Sequence, residues 1–221
     1  MDCTKHYEYF NPTEVIDNIH IIGCGAIGST VAENLVRLGI TRIHLYDFDV
    51  VNPHNVANQM FNDKDIGLPK VLALKTILQN INPEVQVTVH PKGYTSHNVK
   101  NGHVFLCVDD IELRKRIVEE ASLSNYVKSF LDFRMGLSDA QHYARANTPD
   151  EITALLETMS FTNEEARREM PVSACGTNLN ILPTVRVIVG YGIANFINYI
   201  KGSKLKPMIL IDAFEPSLLT I

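Results

Sequence analysis

The sequence predicts an α/β protein, a Rossmann-like, doubly wound and mostly parallel sheet followed by a C-terminal antiparallel hairpin. Three observations carry that expectation. Short apolar runs alternate along the chain with segments of helical period, as strands joined by crossover helices do. The first run, with Ile19, Ile21 and Ile22, ends in Gly23-Cys24-Gly25-Ala26-Ile27-Gly28, after which Ile27, Val31, Leu35 and Leu38 recur at helical spacing. A second run, Ile43-His44-Leu45-Tyr46, then delivers Asp47 nineteen residues after Gly28, where a carboxylate can accept hydrogen bonds from a ribose.

The remaining elements come in order along the chain. Residues 1–18 read as a polar lead-in, and Gly39 is placed to cap the first helix. Residues 50–68, rich in Asn, Asp and Pro, read as an ordered loop. A second helix begins after Pro69 with Val71, Leu74, Leu78 and Ile81 on one face, and a third strand alternates through Val85, Val87 and Val89. His103 to Val108 forms a fourth strand ending at Asp109-Asp110, and a charged helix and a fifth strand near residues 127–132 come next. Residues 140–147 alternate like a strand at an open sheet edge. Thr148-Pro149 and Thr162-Asn163-Glu164-Glu165 open two short helices, the second by a capping box. A long helix over about residues 185–200 precedes a hairpin turning at Glu215-Pro216. The expected organisation is one domain over 1–221, with a core at 18–147, a mobile or crossover segment at 148–182, and the final helix and hairpin at 183–221.

Composition narrows the partners. A net charge of −5 offers no basic face for nucleic acid or an anionic membrane. The most apolar stretch, near residues 185–200, is broken by Arg186, Asn195 and Asn198 and reads as a packed helix. Cys3, Cys24, Cys107 and Cys175 stand far apart with no CxxC pair, so neither a zinc site nor a disulfide framework is expected, and a cytoplasmic setting is the simplest.

The glycine turn alone fits NAD enzymes as well as nucleoside triphosphate binders. The residues beyond the turn separate the two. Asp49, Asn55, Asn58, Gln59 and Lys70 crowd into one loop and helix start, and Asp109 lies at the carboxyl end of the fourth strand beside Val108. Ligands bind open α/β sheets at that edge. Lysine can neutralise a phosphoryl chain, and a strand-end aspartate is a hard oxygen ligand for Mg²⁺. Each residue also has a plain structural reading, Lys70 as a solvated helix residue and Asp109 as a helix cap.

The ordered set GCGAIGS, LYDFDVV, HNVANQ, DIGLPK, INPEV and CVDDIELR resembles the ThiF/MoeB family of ubiquitin-activating-type adenylyltransferases, closely over about residues 18–116 and loosely beyond. It is especially similar to short ThiF-like proteins of bacteria and phages. The resemblance implies ATP and Mg²⁺ as cofactors and adenylation of a carboxylate, usually the C-terminus of a ubiquitin-like or sulfur-carrier protein, by a homodimer. It places the nucleotide on Gly23, Gly25, Ala26, Ile27 and Gly28, the ribose on Asp47, the phosphates on Asn55 and Lys70, and Mg²⁺ on Asp109.

The chain departs from that pattern in its arginines. Asn58 stands where relatives carry the arginine of an NxxRQ-type motif, and no arginine precedes Arg37 to serve a partner subunit. Arg134 and Arg114 are the candidate replacements, provided their side chains face the cleft. Cys175, in a small-residue loop with Thr177 and Asn178 before the long helix, is the candidate acceptor of an acyl group, with Cys24 and Cys107 read as core residues. Two other functions stay open: a non-catalytic subunit that binds nucleotide or a ubiquitin-like partner, favoured by the missing arginines, and an NAD-dependent oxidoreductase.

Overall fold

A computed structural model describes residues 1–96, 98–169 and 181–221. Cys175, Thr177 and Asn178 lie outside the described residues. The strands are β1 (Ile19–Ile22), β2 (Arg42–Tyr46), β3 (Gln86–His90), β4 (Gly102–Leu106), β5 (Val127–Met135), β6 (Asp139–Ala146), β7 (Met208–Asp212) and β8 (Ser217–Thr220). Among the described residues they form one sheet in the order β3-β2-β1-β4-β5-β6-β7-β8. The first five are parallel, and β6, β7 and β8 run antiparallel to their neighbours.

The helices are α1 (Ala26–Arg37), α2 (Lys70–Ile81), α3 (Ile111–Ala121), α4 (Pro149–Glu157), α5 (Asn163–Glu169) and α6 (Leu182–Ile200). Strand alternation divides the core in two. Ile19, Ile21, Leu45, Phe105 and Phe133 pack with Val31, Leu74, Ile188 and Phe196 of α1, α2 and α6. Ile22, Tyr46, Leu106 and Phe130 face the other way, against Ile117 of α3 and Leu155 of α4. Helices on both faces explain why β1 and β4 are buried along their whole length.

Local chemistry sets the boundaries. Gly39, at φ +92°, ends α1 as the left-handed residue of a Schellman motif: its N–H reaches Val36 O and the Ile40 N–H reaches Leu35 O, each at 3.0 Å. The loop before α2 holds two 3₁₀ turns closed by capping boxes, with Asn52 N–H donating to Asn55 Oδ1 and Asn62 N–H to Asp65 Oδ2, both at 2.8 Å.

The expectation of a sheet edge at residues 140–147 needs correction. Strand β6 lies inside the sheet between β5 and β7. It alternates because Ala140, His142 and Ala144 are buried while Gln141, Tyr143 and Arg145 on the opposite face stay half-buried. The N-terminal lead-in is tied down, since Phe10 is buried in the core and His6 Nε2 lies 3.2 Å from Leu38 O. No described helix is long and apolar enough to cross a membrane.

Candidate nucleotide site

The sheet order reverses between β1 and β4, whose carboxyl ends carry the glycine turn and Asp109 side by side. The three glycines divide the work at this switch point. Gly23 has φ +92°, and a Cβ there would meet Cys107 O at 2.6 Å. A Cβ on Gly28 would stand 1.8 Å from Gly23 O, so only glycine lets α1 approach the strand ends. A Cβ on Gly25, the α1 N-cap, meets nothing within 4 Å. Gly25 therefore borders open space at a helix N-terminus, where the N–H groups of Ala26, Ile27 and Gly28 precede the first helical hydrogen bond, Ser29 N to Gly25 O.

Around this opening the structure assembles Asp47, Asp49 and Lys70. Asp47 Oδ2 accepts from Cys24 N–H at 2.7 Å and Oδ1 from Asp49 N–H at 2.8 Å. That fixes the carboxylate against the glycine turn, with a further lone pair on each oxygen for a ligand. Lys70 opens α2 and is almost fully buried, its Nζ 2.8 Å from Asp49 Oδ2, whose own side chain is half exposed. Asp49 in turn is tied to Asp47 by its N–H, which links the Lys70 ammonium to the carboxylate held on the turn. The neighbouring Cys24 is fully buried. Burial pushes its thiol well up, so Cys24 behaves as an inert core residue.

The asparagine-rich loop divides differently. Asn55 is buried and its Oδ1 closes the capping box. The loop then runs against α1, with Met60 N–H 3.2 Å from Ser29 Oγ. Gln59 Oε1 is buried and accepts no hydrogen bond among the described residues. Across the switch point Val108 precedes Asp109, whose side chain is exposed. Asp110, not Asp109, caps α3, accepting from Leu113 N–H at 2.9 Å.

Both candidate arginines are held by Asp132. Arg114 donates to Asp132 Oδ1, Leu106 O and Val108 O, all from a buried position. Arg134 donates through Nε to Asp132 Oδ2 at 2.8 Å and through its two terminal nitrogens to Thr158 O and Oγ1 at 2.7 and 2.8 Å. Tyr143 lies under its guanidinium at 4.4 Å. Burial lowers Arg114 to about 9 and Arg134 to about 10, so both remain cations at neutral pH. Both are paired with one fully buried carboxylate. The signal for this network was Asp132, a charge inside the apolar run Phe130-Leu131-Asp132-Phe133, which must find partners when buried.

The matching sequence profile is that of the ThiF family, over residues 16–215. The chain belongs to the ThiF family. It is 34% identical over 134 residues to ubiquitin-like modifier-activating enzyme 5 of Gallus gallus, a match covering 53% of this chain and 33% of that one. The same enzyme of Caenorhabditis briggsae is 32% identical over 133 residues, covering 53% and 30%. The matched stretch thus spans about a third of those relatives. In fold it is similar to E. coli MccB solved with ATP, with TM-score 0.72 at 19% identity over 95% of this chain and 65% of the other. It is also similar to PaaA, with TM-score 0.73 at 14% identity over 100% and 68%. This ThiF-family chain carries the shared fold and, at its switch point, the glycine turn, Asp47, Lys70 and Asp109.

Proposed function

We propose that the chain adenylates a carboxylate with ATP and Mg²⁺, the carboxylate being the C-terminus of a ubiquitin-like, sulfur-carrier or peptide substrate. The observation that carries the reading is the open α1 N-terminus at Gly25, flanked by the fixed Asp47 and the buried Lys70. Family membership supports it, as do relatives named as ubiquitin-like modifier-activating enzymes.

In this reading a substrate carboxylate oxygen attacks the α-phosphorus of ATP. The bond from that phosphorus to the bridging oxygen breaks, and pyrophosphate leaves with the electron pair. The carboxylate is already a nucleophile, so orientation and charge stabilisation supply the catalysis. Asp47 accepts from the ribose hydroxyls, and the α1 N–H groups hold phosphate oxygens. Lys70 exchanges Asp49 for the phosphate chain. Asp109, exposed and spared from capping, fits Mg²⁺, which keeps waters and phosphates as its other ligands. Bound there, the metal would neutralise triphosphate charge. We place the active form as a homodimer.

ATP–pyrophosphate exchange with purified protein and candidate carrier proteins tests this. Asp109→Ala should abolish exchange, and Lys70→Ala should lower it by roughly a hundredfold. The commitment of Arg114 and Arg134 to Asp132 favours a second reading, a nucleotide-binding subunit without catalysis. ATP binding by calorimetry without exchange on any carrier would select it. Absence of both exchange and ATP binding would overturn the proposal.

A further inference from the structure

With Arg114 and Arg134 tied to Asp132, the cleft needs a mobile cation for the far end of a triphosphate. We infer that Arg186 is that cation, a catalytic residue that contacts the terminal phosphates; the inference rests on the adenylation reading above.

The geometry begins with α6. Its first turn lies at the carboxyl edge of the sheet, because Thr184 Oγ1 donates to Leu137 O, just beyond the end of β5, at 2.8 Å. Its later turns reach the opposite edge, where Phe196 meets the ring of His103 near the start of β4. Helix α1 runs the same way, from the glycine turn toward Gly39. Arg186, in the second turn of α6, lies beside the third turn of α1. Its Nη1 is 3.2 Å from Glu33 Oε2 on α1, and its Nη2 is 3.2 Å from Met60 Sδ. The Met60 N–H donates to Ser29 Oγ in the first turn of α1, four residues after Gly25.

The direction of the nucleotide is set by the strand order. Asp47 anchors a ribose at the end of β2, and the phosphates cross the glycine turn at the end of β1. Their continuation leads toward β4 and the α1–α6 seam, where Arg186 lies. Unlike Arg114 and Arg134, Arg186 is well exposed, with 42% of its side-chain surface open, and only Glu33 pairs with it by charge among the described residues. Glu33 also holds Arg37 at 2.9 Å, so it keeps a partner when Arg186 leaves. Gln59, next to Met60 in the chain, has a buried Oε1 that accepts no hydrogen bond among the described residues, an acceptor left open in this loop. Arginine suits the task because its planar fork binds phosphate through two parallel hydrogen bonds.

Calorimetry with Mg·ATP and with AMP, on the full chain, tests the assignment. Arg186→Ala should weaken ATP roughly tenfold to a hundredfold, the range for hydrogen bonds to charged groups, and leave AMP within twofold. Arg186→Lys should recover part of the loss, and pyrophosphate exchange should fall in parallel in kcat. Equal losses for ATP and AMP would mark Arg186 as merely structural and overturn the inference, as would no loss in either. If the wild-type chain binds neither nucleotide, the adenylation reading itself falls; if it binds both and Arg186→Ala changes nothing, only this inference does.

Discussion

At the scale of single residues, the glycine turn separates folding from binding. Gly28→Ala forces a Cβ to within 1.8 Å of Gly23 O, and no flexible side chain is there to yield. It should cost more than about 3 kcal/mol or prevent folding, as overpacking against backbone does. Gly25→Ala meets open space, so its urea midpoint should stay near wild type while nucleotide affinity falls. A Gly25→Ala protein that binds ATP normally would contradict the site. Gly23, Gly28 and Asp47 could be brought together from sequence because spacing along a strand–turn–helix–strand unit fixes where such residues meet, whereas Lys70 was read from its place at a helix start and from the family resemblance. Asp132 was visible as an oddity, a charge among apolar neighbours, but its partners were not. Arg186 appeared only as a break in an apolar stretch. Its contacts with Glu33 and Met60 span most of the chain, and no local pattern encodes them.

At the scale of elements, the two-armed Asp132 network ties the carboxyl ends of β4 and β5 to the end of α4. Arg114 holds Val108 O beside Asp109, while Arg134 holds Thr158. Asn163, in the first turn of α5, adds a second tie, accepting from Ile111 N–H at 2.8 Å and donating to Asp110 Oδ1 at 3.0 Å. Asp132→Asn leaves two buried guanidiniums without a counter-charge. It should destabilise the protein by about 3–5 kcal/mol, read by urea unfolding, and a loss below about 1 kcal/mol would show that the pairing contributes little. The helices and parallel strands were readable because burial on one or two faces writes a period into the sequence. The interior position of β6 was not, since a strand half-covered by a helix alternates just as an exposed edge does.

At the scale of the whole molecule, buried histidines set a pH limit. Burial lowers His20 and His142 to about 3 and His103 to about 4, against 6.5 in an unfolded chain. Below pH 6.5 the unfolded chain takes up protons on these rings and the folded protein does not. Stability is therefore intact above pH 6.5 and falls as the solution is acidified. Between pH 7.5 and 5 the loss should be about 2 kcal/mol for each ring that stays neutral, and a flat urea stability over that interval would refute it. The doubly wound, mostly parallel sheet with antiparallel strands at its C-terminal end was legible in the sequence, because alternating strands and helices leave few topologies. The pairing of β1 with β4 bears on how the protein is made. Ile22 lies against Leu106, and the floor of the glycine turn is Cys107, so much of the chain must emerge from the ribosome before the site can exist. Nucleotide capture is thus a reporter of late folding, and nascent chains released short of β4 should fail to retain ATP however well their first helix has formed.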